Sequence, residues 1–311
     1  MTTNLTINKS EILFLYESTF SIPNGDPFTG EQRYDDETKR VLVSDVRIKR
    51  FIRDYLSEQG HEIFVMNDRS AAIEGEKGSG AALRMVSLKD KYKDDPEIYL
   101  DKKGKVDALK IMKKCVDVRL FGGISTQGGD AVNLTGAVQF ALLNPSLNAV
   151  DLRIHQNTSV FASSEEKTRG AIGTTTVVPY SINQIHGWIN PYSATHTSLT
   201  QEDIVLMFKA LWESINNANT RSKSNQNSLL LLQIVYQKPT DKLYGLDKLI
   251  KFTSDKQGEQ LRSSEDYTLD FSDIKRATSV DKVLKVNFYT ENQQWKEELE
   301  KIEKFSLMLL V

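Results

Sequence analysis

Cysteine is nearly absent from this chain: Cys115 is the single one among 311 residues. That excludes an internal disulfide framework and any zinc site built from several thiolates. Histidine is scarce too, and His61, His155, His186 and His196 lie far apart, without the H-E-x-x-H spacing of a metal-binding helix. No apolar run approaches the roughly 20 residues that a membrane helix needs. The longest, Leu229 to Val235, is interrupted by Gln233. The opening residues M-T-T-N-L-T-I-N-K-S lack the charged-then-apolar order of a secretory signal. A soluble chain in the cytoplasm, with no membrane partner, is therefore expected. Phosphate-loop, dinucleotide and nucleophile-elbow patterns (G-x-x-x-x-G-K-[ST], G-x-G-x-x-G after a strand, G-x-S-x-G) are missing as well. The expectation is no catalytic residue, no metal and no cofactor.

Charge of one sign is also missing, since 40 basic residues face 42 acidic ones for a net −2. The balance hides a pattern. Lys39, Arg40, Arg47, Lys49, Arg50 and Arg53 face only Asp45, and Lys102, Lys103, Lys105, Lys110, Lys113, Lys114 and Arg119 face only Asp107 and Asp117. Each stretch carries a local +5, which suits a polyanion track and equally suits two solvated helix faces.

A hydrophobic content of 39% beside 26% charged residues supplies a real core for one large or two small domains. Ser10 to Phe20 has the density and length of a strand. It stops at P-N-G-D-P (23–27), where two prolines bracket an Asn-Gly pair in a sharply shaped corner. A helix starts at Ser44 as N-cap, buries Ile48, Phe51, Ile52 and Tyr55, and stops by Gly60. Ile63 to Met66 reads as a strand, Val106 to Val116 as one helix with Leu109, Met112 and Val116 inward, and Val132 to Leu143 as one strand. Thr176 to Val178 and Gln184 to Ile189 read as two short strands. Thr200 with Asp203 opens a capping-box helix lined by Ile204, Phe208, Leu211 and Ile215. Leu229 to Tyr236 is the clearest strand. The last third offers a helix-like Tyr244 to Phe252, a strand near Val283 to Tyr289 and an acidic helix from Gln293 to Lys304. This order, strand-helix-strand twice over with long insertions, predicts an α+β chain compatible with the ferredoxin-like β-α-β-β-α-β motif shared by many RNA-recognition modules.

P-N-G-D-P followed by V-S-D-V-R-I-K-R-F-I-R, then D-V-R-L-F-G-G, L-T-G-A-V-Q-F, V-P-Y with H-G-W-I, and L-T-Q-E-D occur in that order over residues 10–236. In this the chain resembles the CRISPR-associated backbone subunits of Cascade surveillance complexes, in particular the type I-B subset once called the DevR group. The resemblance implies a modified RNA-recognition core with large finger and thumb insertions. The core comprises residues 1–66, 106–143 and 176–240. Residues 67–105 form a finger-like insertion, 144–175 a second insertion serving as thumb or finger part, and 241–311 a C-terminal extension. It further implies a non-catalytic subunit that polymerises head to tail with copies of itself along the spacer of a CRISPR RNA. Other Cascade subunits, target DNA reached through guide pairing, and a recruited helicase-nuclease are its implied partners.

Such a protein must hold sugar and phosphate, which carry no sequence information. Candidate RNA contacts are Asn24, Ser44, Lys49, Arg50, Arg53, Arg119, Phe121, Gly122, Gly123 and Arg169. Arg119 either reaches a phosphate or locks to Asp117, and Phe121 is either core or a stacking platform. Gly122 and Gly123 would let a nucleic-acid strand approach the main chain. The chain departs from its relatives at Ala137, where proline is common. It departs again at 174–177, where basic residues are common and Arg169 is the nearby substitute. Two other readings stay open. One is a metal-dependent RNA endonuclease using Asp26, as in type III complexes, although Asp26 equally suits turn formation. The other is a regulatory protein-binding module.

Overall fold

The computed structural model describes residues 5–66, 80–126, 131–158 and 172–310. Its central strand is β1 (Ser10–Ser21), apolar at consecutive positions because both of its faces are covered. Ile12, Phe14 and Tyr16 point into one apolar cluster and Leu13 and Leu15 into another, all fully buried. β2 (Tyr34–Asp35) and β3 (Arg40–Ser44) lead into α1 (Asp45–Glu58), capped by the Ser44 hydroxyl, which accepts the Arg47 amide. Ile48, Phe51, Ile52 and Leu56 form its buried stripe. Leu56 takes the deep place expected of Tyr55, which is half-buried.

Ile63 to Met66 is not a strand. The Asp117 carboxylate accepts the amides of Phe64 (2.8 Å) and Val65 (3.1 Å), taking donors that a ladder would use. α2 (Gly80–Tyr92) and α3 (Pro96–Tyr99) follow. The single helix expected over 106–116 is instead α4 (Ala108–Met112) and α5 (Val116–Phe121). Between them the carbonyls of Lys113 and Lys114 accept Arg119 Nη1 at 2.9 and 3.1 Å. Leu109 points outward, while Met112, Ile111, Met85, Leu88, Phe64 and Cys115 form a satellite cluster. Burial pushes the Cys115 thiol up to about 12. Thiol-specific reagents are accordingly expected to leave native Cys115 unmodified over hours and to label it at once in denaturant. Fast labelling of the native chain would contradict the burial.

β4 (Gly122–Ser125) and β5 (Val132–Thr135) pair as a two-stranded sheet. β5, β6 (Val138–Phe140) and β7 (Leu143–Pro145) replace the one strand expected over 132–143, with a break at Gly136 where the chain passes against the Phe121 backbone. β8 (Arg153–Thr158) pairs with the first part of β9 (Ile172–Ile189), which runs unbroken where two short strands were expected. Pro179 has no N–H to give. The β1–β9 ladder skips it and the facing Phe20, whose φ of 44° takes up the irregularity. α6 (Pro191–Thr197) and α7 (Gln201–Asn216) precede β10 (Gln226–Tyr236). The capping box of α7 and its four inward residues are as its sequence predicts. Tyr244 to Phe252 holds only a 3-10 turn and the start of β11 (Lys251–Thr253), not a helix. β12 (Thr268–Asp270), α8 (Ser272–Thr278), β13 (Val283–Tyr289), α9 (Gln293–Glu300) and β14 (Phe305–Leu307) complete the chain.

The main sheet has the order β14-β13-β10-β1-β9-β6, with β8 also on β9. Every neighbour is antiparallel except β13 and β14. α1, α5 and α7 contribute to the cluster on one face, through Phe51, Leu120, Phe208 and Trp212 among others. The opposite face, formed by Leu13, Leu15, Tyr180, Ile182, Leu230, Leu232 and Ile234, is covered by Leu246, Phe271, Ile274, Trp295 and Leu299 from the C-terminal part. Alternation along each strand thus serves two cores at once.

Candidate nucleic-acid interface

Three segments meet at the start of α1. The corner at 23–27 is held by Asn24, which is buried. The Asn24 amide donates to Gln32 Oε1 at 2.9 Å, and its Oδ1 accepts the Ser44 amide and hydroxyl at 2.7 and 2.8 Å. Asn24 and Ser44 therefore satisfy each other and fix the corner to the helix cap. Asp26 Oδ1 accepts the amides of Phe28 and Thr29, and Arg33 stands 3.1 Å away. The Phe28 amide above all holds the Asp26 carboxyl below its usual range. That is turn chemistry, and no three potential metal ligands gather among the described residues.

The cations of α1 run outward from this corner, and each expected contact has a carboxylate of its own. Lys49 Nζ lies 3.1 Å from Asp45 and 3.2 Å from Gln139 Oε1. Arg50 pairs with Asp54 at 3.2 Å, and Arg53 with the fully buried Asp117 at 2.9 Å. Phe121 is buried beneath Lys49 and Arg53, its ring centroid 5.8 and 5.2 Å from them and 6.3 Å from that of Phe140. It is a core ring under two cations, and its face is not offered for stacking. Arg119 locks neither to Asp117 nor to open solvent: its Nε and Nη2 donate to Asp203 at 2.8 and 2.7 Å. Asp203 simultaneously accepts the Thr200 amide at 3.1 Å, so one carboxylate closes the α7 cap and anchors α5.

The close approaches at Gly122 and Gly123 are made by the chain itself, through backbone at Gly122 and through side chains at Gly123. A Cβ on Gly122, where φ is +77°, would lie 2.0 Å from the Leu134 carbonyl oxygen, and one on Gly123 would lie 3.1 Å from Met112 Cε. Arg169 lies outside the described residues.

The second basic stretch is the less neutralised one. Lys102, Lys103, Lys105, Lys110 and Lys114 are exposed and form no ion pair among the described residues. Asp101 and Asp107 spend their carboxylates on backbone amides, capping the turn at 101–105 and α4. Beside this track an open groove of about 500 Å³ is lined by Lys113, Asn133, Thr135, Ser193, Thr195 and His196. Sequence alone marks the lysines. It does not mark the groove, whose walls come from three separated segments.

The fold is an α+β scaffold whose main sheet is packed on both faces. The chain belongs to the CRISPR-associated protein Cas7 family, whose profile matches residues 8–272. A Cas7 protein of Haloferax volcanii is 28% identical over 290 residues, covering 86% of this chain and 82% of its own. Among solved structures, a chain of a pre-nicking CRISPR RNA-guided surveillance complex superposes with a TM-score of 0.54 at 13% identity over 97% of both chains. A chain of another CRISPR RNA-guided surveillance complex gives 0.55 at 12% identity, over 97% of this chain and 95% of that one. The latter two likenesses concern the fold. Among the described residues no helix is long and apolar enough to cross a membrane.

Proposed function

We propose that this chain is a non-catalytic backbone subunit of a type I-B Cascade complex in the cytoplasm, and that it holds a CRISPR RNA by sugar and phosphate irrespective of sequence. Membership of the Cas7 family over residues 8–272 carries the reading. In it, copies of the chain follow one another along the guide beside other Cascade subunits. Guide bases remain free to pair with target DNA, and cutting belongs to a recruited helicase-nuclease. The core is a modified RNA-recognition module. The succession β1-α1-β6-β9-α7-β10 with spatial order β10-β1-β9-β6 is that of a split β-α-β-β-α-β unit, and it supports this assignment. The intervals at 67–105 and 144–175 are insertions, the first finger-like and the second a thumb or finger part, and 241–311 is the extension. RNA-recognition modules stack bases on the sheet face away from their helices. Here that face is closed by Phe271, Trp295 and their neighbours, so contact falls to the rim: the start of α1 with Lys49, Arg50 and Arg53, and the lysine track.

Binding of two unrelated RNAs of equal length to the full chain tests the proposal, with salt varied for each. Near-equal affinities are expected, with a linear fall of log K against log salt. Replacing the exposed Lys105, Lys110 and Lys114 together by alanine is expected to reduce that slope by about 2, at about 0.7 per single-strand phosphate. Strong preference for one RNA, or no binding by the chain co-expressed with its guide, would overturn the assignment. Metal-dependent cutting of complementary RNA, lost in Asp26→Ala, would replace it with the endonuclease reading.

A further inference from the structure

The groove beside the lysine track gathers side chains from three separated segments around one open space of about 500 Å³, a size suited to a small ligand. Lys113, Asn133, Thr135, Ser193, Thr195 and His196 are its polar lining, and Leu109 and Leu134 supply the rest. Among the described residues no carboxylate lines it.

Its walls are set by the elements that carry them. Asn133 and Thr135 alternate with Leu134 along β5 and are both exposed. Leu109 and Lys113 stand one turn apart on α4 and its C-cap. The Asp107 carboxylate caps that helix by accepting the Lys110 amide at 2.9 Å, and Arg119 holds the Lys113 and Lys114 carbonyls at its other end. Ser193, Thr195 and His196 belong to α6. Its cap, Asn190, accepts the amides of Tyr192 and Ser193 at 2.9 and 3.4 Å. The Asn190 amide donates to the Ala137 carbonyl at 2.8 Å, tying α6 to the link between β5 and β6. The walls are thus in place before a ligand arrives, which lowers the cost of binding one.

The polar side chains of this groove are unengaged. Lys113, Asn133, Thr135, Ser193 and His196 form no side-chain hydrogen bond or ion pair among the described residues. Thr195 donates to the Tyr192 carbonyl at 2.7 Å and keeps its lone pairs. Lys49, Arg50, Arg53 and Arg119, by contrast, each have a carboxylate. The make-up of the set selects its ligand. A phosphate only accepts hydrogen bonds, so cations suffice for it. Asn133, Thr135 and Ser193 can each donate and accept, which fits a hydroxyl, a group that does both. Contacts that ignore sequence fall on sugar and phosphate, and the 2′-hydroxyl is the part of the sugar that separates RNA from DNA.

We propose that this groove reads ribose: Asn133, Thr135 and Ser193 hydrogen-bond the sugar of one nucleotide, its 2′-hydroxyl included, while Lys113 meets the adjoining phosphate. The assignment rests on the RNA-binding reading above and adds to it the choice of RNA over DNA. Because the groove is open, water replaces the lost partner when the 2′-hydroxyl is missing. The preference is therefore that of one or two ordinary hydrogen bonds, about tenfold.

Oligouridine and oligodeoxyuridine of equal length differ only in that hydroxyl, and the test titrates each into the full chain over a series of salt concentrations. The ribose form is expected to bind about tenfold more tightly, with a similar salt slope. Asn133→Ala, Thr135→Val and Ser193→Ala combined are expected to bring the two forms within about twofold while the slope is kept. Lys113→Ala should weaken both forms and lower the slope by about 0.7. Proton resonances of the four histidines give a second readout that needs no change to the wall, His196 being assigned through His196→Gln. Oligouridine is expected to shift the His196 ring signals of the parent chain. Equal binding of the two polymers by the parent, a preference that survives in the triple variant, or an unmoved His196 overturns the ribose reader while the RNA reading stands. Binding of neither polymer overturns both.

Discussion

Asp117→Ala is expected to lower the unfolding free energy by about 3–5 kcal/mol, the usual cost of breaking a buried ion pair from one side. Asp117 is fully buried, and its two oxygens serve Arg53 and the amides of Phe64 and Val65. Removing it strands a guanidinium and two amides at once and frees the segment that leads out of α1. Asp117→Asn keeps an acceptor for one or two of these donors and should fall roughly midway. Arg53→Ala in an Asp117→Ala background should cost less than Arg53→Ala alone, because the buried carboxylate is no longer left unpaired. Urea unfolding of the four chains closes this cycle. Strict additivity would mean that the pair is not coupled as drawn. One practical result concerns RNA binding. A Lys49→Ala, Arg53→Ala chain would lose fold stability together with cationic charge, so the exposed lysines make the cleaner probe.

Gly136→Ala is expected to be comparably severe, at least about 3 kcal/mol. A Cβ there would stand 2.1 Å from the Phe121 carbonyl carbon and 2.4 Å from its oxygen, both backbone atoms that no rotamer change can move. The β4–β5 pair and α5 would have to separate. Gly60→Ala separates crowding from backbone strain: it has a positive φ that Gly136 lacks, with nothing within 4 Å of its Cβ, and that strain alone should cost about 1–2 kcal/mol. A soluble, cooperatively folded Gly136→Ala chain with a melting temperature near that of the parent would refute the close contact.

Elements whose signal is local were legible in the sequence. The α1 stripe, the Thr200–Asp203 cap and β10 depend on residues within a few positions of one another, and they stand where periodicity and capping put them. Errors occurred where a distant side chain decides local structure. Asp117 takes the amides of a would-be strand at 63–66, and Arg119 takes carbonyls that would continue a helix through 113–114. The candidate site shows the same division. Its basic residues were visible as charge runs, whereas their partners were not, because Arg119 meets Asp203 across 84 positions and Arg53 meets Asp117 across 64.

The doubly covered sheet also bears on how such a chain tolerates change. Substitutions along β1, β9 and β10 fall on one packed layer or the other, so selection there acts through foldability. Exposed loop positions such as Lys102, Lys103 and Lys105 carry no such burden. A lineage under pressure to alter what it grips can rewrite its periphery while the middle stays fixed.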